Sequence, residues 1–134
     1  MKPRGLRNNN PGNIRKTTDK WQGLRAEQTD PDFFQFETMA YGFRALFKLL
    51  KNYRKKYVCQ TIAEIIERYA PRNENDTNSY ILTVCRLMEV PSTFVPDVED
   101  KETMFSLAAS ICFVENGEQA YINDLLQGWE LLKR

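Results

Sequence analysis

The chain has 134 residues, 42% of them hydrophobic and 12% aromatic, so it is long enough to bury one core and too apolar to be disordered. Nineteen basic against eighteen acidic residues leave a net charge of +1, which excludes a global field drawing the protein to nucleic acid. The complete absence of histidine removes histidine-based triads, histidine general bases and most zinc sites, and neither a metal nor a cofactor is expected.

The chain opens with "RGLRNNNPGNIR", residues 4–15, in which only Leu6 and Ile14 are strongly apolar. Asn, Gly and Pro form turns through side-chain hydrogen bonds, tolerated positive φ and fixed φ respectively. The stretch therefore reads as an ordered loop, neither helix nor strand, whose amides hold either the backbone or a ligand. Lys2, Arg4, Arg7, Arg15 and Lys16 all precede the first acidic residue, Asp19, and give this arm a local basic bias.

Trp21–Leu24 and Phe33–Phe36 are short aromatic segments separated by the polar "RAEQTDPD", a composition that predicts a small β-hairpin. From Thr38 to Tyr57 the residues Phe43, Leu46, Phe47, Leu50, Tyr53 and Tyr57 keep helical spacing, with Arg44, Lys48, Lys51 and Lys55 outside. Thr61-Ile62-Ala63-Glu64 is a capping box opening a second helix that buries Ile62, Ile65, Ile66 and Tyr69 and stops before Pro71. Asn75-Asp76-Thr77 caps a third, carrying Tyr80, Ile81, Val84, Leu87 and Met88 to a stop at Pro91. Asp100 starts a fourth, with Phe105, Leu107, Ala108, Ile111 and Cys112 inward, which closes at Asn116-Gly117. Tyr121, Ile122, Leu125, Leu126 and Trp129 form a fifth.

The expected fold is thus a single α+β domain over residues 1–134, mostly α, with five helices and an N-terminal β-hairpin. Cys59, Cys85 and Cys112 are odd in number, far apart and set among apolar helix residues, so they read as reduced thiols rather than bridges or metal ligands. The N-terminus has no apolar leader, and no window approaches the roughly 20 apolar residues of a membrane span, so a cytoplasmic product without membrane insertion is expected.

One acid stands apart. Glu115 follows the apolar run "SLAASICFV" and is the last side chain before the Asn116-Gly117 break. Burial and the negative end of the helix dipole both disfavour a carboxylate there, the property a general acid uses to protonate a glycosidic oxygen. The alternative is a solvated helix end. Ile111 and Cys112, one turn earlier, lie on the face assigned to the core.

The string "AASICFVENG" resembles the glutamate-bearing helix of lytic transglycosylases and flagellar-type glucosaminidases, which are lysozyme-like peptidoglycan hydrolases. "NNNPGNI", followed by Trp21-Gln22-Gly23 and an aromatic segment, is similar to the Asn-rich turn and hairpin of those glucosaminidases. "RYAPRNENDTNSYILTV" resembles the T-x-x-Y helix of transglycosylases. The order of the pieces differs, as in a circular permutation, which closely spaced termini make physically cheap. The whole pattern, from "RGLRNNNPGNI" to "VENG", also resembles phage and prophage proteins of virion-structural or lysozyme-like type.

The resemblance implies a lysozyme-like domain that cleaves peptidoglycan glycan strands, with Glu115 as general acid and, among the candidate acids Glu27, Asp30 and Asp32, Asp30 as a second carboxylate on its spacing to Phe33 and Phe36. Tyr80 and Thr77 come from the T-x-x-Y pattern as ligand-binding residues. Asn9, Asn10, Asn13 and Trp21 would line the glycan site. The partners implied are glycan strands and other virion proteins, and the place of action is the cell wall, reached by lysis or in a virion. The competing expectation is a non-enzymatic virion or cell-wall-binding protein on the same scaffold.

Overall fold

A computed structural model describes all residues, 1–134, and contains six helices: α1 (Arg4–Arg7), α2 (Met39–Tyr57), α3 (Ile62–Tyr69), α4 (Thr77–Met88), α5 (Lys101–Asn116) and α6 (Ile122–Leu131). Four of them start on a side-chain cap that satisfies backbone N–H groups otherwise orphaned in a first turn. Thr38, Asp76 and Asp100 accept from the third residue of α2, α4 and α5, and Thr61 with Glu64 completes the capping box of α3. Helix α5 ends on Gly117 at φ 72°, the left-handed closure that its Asn-Gly pair predicts.

The core is one contiguous cluster fed by α2 to α6 and by Ile14, Phe34 and Phe36 of the arm. Phe47 of α2 stacks on Phe105 of α5 with ring centroids 5.7 Å apart. Trp129 of α6 meets both rings edge-on, at 5.2 and 6.0 Å, so three helices are locked by three aromatic side chains. All three cysteines are free, and burial pushes the Cys112 thiol up to about 11, which leaves it unreactive.

The α+β expectation of five helices and a β-hairpin is overturned: the protein has six helices and no strand. Residues 15–36 do double back, but they meet only at two isolated antiparallel bridges, Arg15 with Phe33 and Leu24 with Phe36. The rungs between are replaced by side-chain amides. Gln28 brackets Gln35, accepting from its N–H at 2.8 Å and donating to its carbonyl at 2.8 Å. Asn10 donates to the Phe34 carbonyl, Asn9 to that of Phe36, and the Asn8 carbonyl accepts from the Phe36 N–H. A segment whose backbone is satisfied in this way has no need of a partner strand.

The sixth helix is the other correction. "RGLR", read as loop, forms α1, because Gly5 lets one helical turn press against the end of α5. A Cβ on Gly5 would collide with Asn116 Oδ1 and approach Asn10 O and Asn13 Oδ1 at 2.9 Å each. Both of those side-chain oxygens are buried and accept no N–H or O–H, and they fill the space a side chain at position 5 would need. The buried faces of α2, α4 and α6 also differ from those the spacing predicts. Arg44 is buried inside the α2 face expected to be wet, while Tyr57, Leu87, Tyr121, Ile122 and Leu126, expected inside, are exposed. The last three lie on α6 or at its start, and α6 offers the core a narrow strip centred on Leu125 and Gly128.

Asn10 is completely buried and makes three hydrogen bonds, accepting from the Ile14 N–H at 2.9 Å and donating to the carbonyls of Ile14 at 3.0 Å and Phe34 at 2.9 Å. Asn10→Ala leaves the Ile14 N–H and the Phe34 carbonyl unpaired, the Ile14 carbonyl keeping the Phe34 N–H, and is expected to cost about 2 kcal/mol or more, read as a lowered urea midpoint. Asn9→Ala, at a half-buried position, should cost markedly less in the same measurement.

Candidate functional site

Glu115 lies one residue before the end of α5, where the helix has run out of core to cover. Each carboxylate oxygen takes one donor: Asn13 Nδ2 to Oε1 at 2.8 Å and Tyr80 Oη to Oε2 at 2.9 Å. Asn13 is held at φ 49°, a left-handed conformation that asparagine tolerates better than most residues, and this conformation aims its amide across the chain to α5. Tyr80 is buried on α4, and burial, with neighbouring Tyr69 and Glu115 adding to it, raises its hydroxyl far above the ordinary tyrosine range. It therefore keeps its proton at any pH the protein meets.

The carboxyl opens into a groove of about 320 Å³, walled by the arm on one side and by the end of α3 and the following loop on the other. Asn13, Trp21 and Phe33 come from the arm, and Tyr69 and Glu74 from the opposite wall. Tyr69 donates its hydroxyl to the Gly12 carbonyl and so ties the two walls together. Further out, Arg15 pairs with Glu74 at 3.1 Å. A second cleft on the other side of Glu115 is lined by Tyr80, Ser79 and Thr83 of α4, so the carboxyl stands between two openings.

The structure thus brings Glu115, Asn13, Tyr80 and Trp21 together and leaves four other candidates elsewhere. Asn10 and Asn9 serve the arm's backbone, as described. Thr77 is buried and donates to the Ala70 carbonyl at 2.5 Å, fastening the start of α4 to the end of α3. Asp30 lies away from the groove lining and anchors the arm. Its carboxylate accepts from Arg4 Nε at 2.7 Å and Nη2 at 2.6 Å, from Asn8 Nδ2 at 2.9 Å, and from the N–H groups of Asp32 and Phe33. Tyr69 and Arg15 were not singled out as site residues. The signal for Tyr69 was its place at a helix end just before Pro71, where a large side chain is free to leave the core.

No family model matches the chain. It is 37% identical over 131 residues to Protein P5 of Pseudoalteromonas phage PM2, an alignment covering 95% of this chain and 80% of that protein. The chain belongs to the family of phage Protein P5. The kinship supports the phage part of the resemblance seen in the sequence and carries no glycosidase chemistry with it. No helix of this P5 relative is long and apolar enough to cross a membrane.

The anchoring of Asp30 has a measurable consequence. The Arg4 guanidinium, then the Asn8 amide and the two backbone N–H groups, hold its carboxyl far below the ordinary carboxylate range. A depressed folded-state pKa contributes stability that is fully present above the unfolded value, near ~3.9, and is lost as pH falls below it. Urea midpoints are expected to fall between pH 4 and pH 2. Asp30→Asn should be less stable than wild type at pH 7 and show a shallower decline over that acid range.

Proposed function

We propose that this phage protein grips the glycan strand of peptidoglycan along the Glu115 groove and breaks it by general acid catalysis, Glu115 protonating the glycosidic oxygen. The observation carrying this reading is a carboxyl in the wall of an open groove, fixed by one hydrogen-bond donor on each oxygen. Of the three acids lining the groove, Glu74 is paired with Arg15 and Asp19 accepts from Thr17, whereas Glu115 has no cationic partner.

A tyrosine hydroxyl donates to an ionised carboxylate and accepts from a protonated one, so Tyr80 serves Glu115 on both sides of a proton transfer. Trp21 lines the groove as the aromatic surface available to a sugar ring, the Phe33 ring being taken up by the guanidinium groups of Arg4 and Arg15. With Asp30 committed to Arg4, chemistry that needs a single protein carboxyl suits the site, the sugar's own N-acetyl and 6-hydroxyl groups completing the reaction.

A second reading is a non-enzymatic virion structural or cell-wall-binding protein. It is favoured by the kinship with a phage protein and by the structural employment of Asp30, Asn9, Asn10 and Thr77, all of which the first reading would have placed at the glycan.

Turbidity of purified peptidoglycan, with mass spectrometry of released fragments, separates the two. Wild type should release fragments, with anhydro ends for a transglycosylase and reducing ends for a hydrolase. Glu115→Gln keeps the shape and removes the acid, and should lower the rate by roughly 10²–10⁴-fold with the thermal midpoint nearly unchanged. Tyr80→Phe should reduce cleavage more than stability. A wild-type protein that binds the wall and releases nothing establishes the second reading.

A further inference from the structure

Beside the Glu115 groove lies a cleft of about 410 Å³ with a different character. Four cations, Lys20, Arg44, Lys48 and Lys56, line it against one acid, Asp19, which already accepts from Thr17 at 2.9 Å. None of the four cations forms an ion pair, although every other buried or half-buried charge at the arm has found one or several polar partners. Arg44, Lys48 and Lys56 share one face of α2, with Arg44 and Lys48 a single turn apart, and like charges at that spacing destabilise a helix unless something neutralises them.

Arg44 is the anomaly. It is 7% exposed, and its only hydrogen bond within the protein runs from Nε to the Leu131 carbonyl at 3.4 Å. Its terminal Nη atoms have no partner within the protein and face the water of the cleft. A buried guanidinium without an anion is costly, and an apolar side chain of similar length would fill the same space without that cost. Burial lowers its pKa from the ordinary arginine value, and the neighbouring Tyr41 hydroxyl offsets only part of this.

We propose that this cleft is an anion-binding site for a carboxylate or phosphate group, with the Nη atoms of Arg44 as inner donors and Lys48 and Lys56 supplying the outer charge. Trp21 and Tyr53 line both this cleft and the Glu115 groove, so one ligand can occupy the two together. Resting on the glycan reading above, the anion is a carboxylate carried by the strand that lies past Glu115.

The test uses the full isotope-labelled chain and amide-shift titrations at constant ionic strength, with inorganic phosphate and N-acetylmuramoyl dipeptide as separate probes. Saturable shifts at Arg44 and Lys48 are expected, weakened about tenfold or more in the Lys48→Gln/Lys56→Gln double variant, whose exposed positions leave the thermal midpoint unchanged. Arg44→Met should abolish binding while keeping or raising that midpoint. Saturation by phosphate alone supports the site and removes the carboxylate assignment; tighter binding of the dipeptide supports both. No saturable shift with either probe, or shifts undiminished in the double variant, overturns the site. Wall cleavage scored on the same proteins separates the two ideas. Anion binding without cleavage leaves the cleft standing and removes the enzymatic reading, whereas cleavage without anion binding removes the cleft alone.

Discussion

A backbone that enters a protein interior without forming helix or sheet must find a hydrogen-bond partner for each N–H and C=O it buries. Residues 5–14 and 28–36 meet that demand with side-chain amides. Asn8, Asn10, Gln28 and Gln35 each both donate and accept, and together they wire the arm to itself and to the segment carrying Phe34 and Phe36 into the core. Everything at the candidate site depends on this wiring. Asn13 reaches Glu115 only because Asn10 pins the turn it sits in, through the Ile14 N–H and carbonyl.

The two charged features of the protein are handled in opposite ways. At Asp30 a buried carboxylate is surrounded by five donors, two of them from the Arg4 guanidinium, so its charge is fully compensated and serves structure. At Arg44 a buried guanidinium receives one long contact and no anion. Glu115 lies between these extremes, with two neutral donors and no counter-charge. A carboxyl held in that manner is oriented without being electrostatically spent, which is what distinguishes it from the other acids around the groove.

What the sequence made legible was whatever is written in local chemistry. Thr61 with Glu64, Asp76, Asp100 and Gly117 announce helix ends because capping is decided within four residues, and α3 to α5 follow from them, whereas α2 and α6 follow from apolar spacing alone. The hairpin was misjudged because aromatic, β-prone residues say only that a segment is extended and half-buried. Whether a partner strand or a set of glutamine and asparagine amides completes its hydrogen bonding is a matter of contacts far away in the chain. Helix α1 was invisible for a related reason: four residues have no periodicity, and Gly5 is helical there because it fits against Asn116. Glu115 could be singled out by its position at the end of an apolar helix, and Asn13 was one asparagine among four with nothing local to mark it. Arg44 belongs to a basic stripe whose outward face is the ordinary reading, and its burial follows from the packing of α6 over α2.

The contacts that complete the site span almost the entire chain: Asn13 to Glu115 is separated by 102 residues, and Pro11 to Asn116 by 105. During synthesis the arm leaves the ribosome 102 residues ahead of the helix end it fastens. Until that end emerges, Asn13 has only water for its amide, while Asn8, Asn9 and Asn10 already find their partners within residues 14–37. Closing so long a loop is entropically late and kinetically slow compared with forming the helices between. The groove is therefore a product of the final folding event. A chain stalled or truncated before α5 is complete can hold most of its helices and still have neither the carboxyl nor the wall it faces.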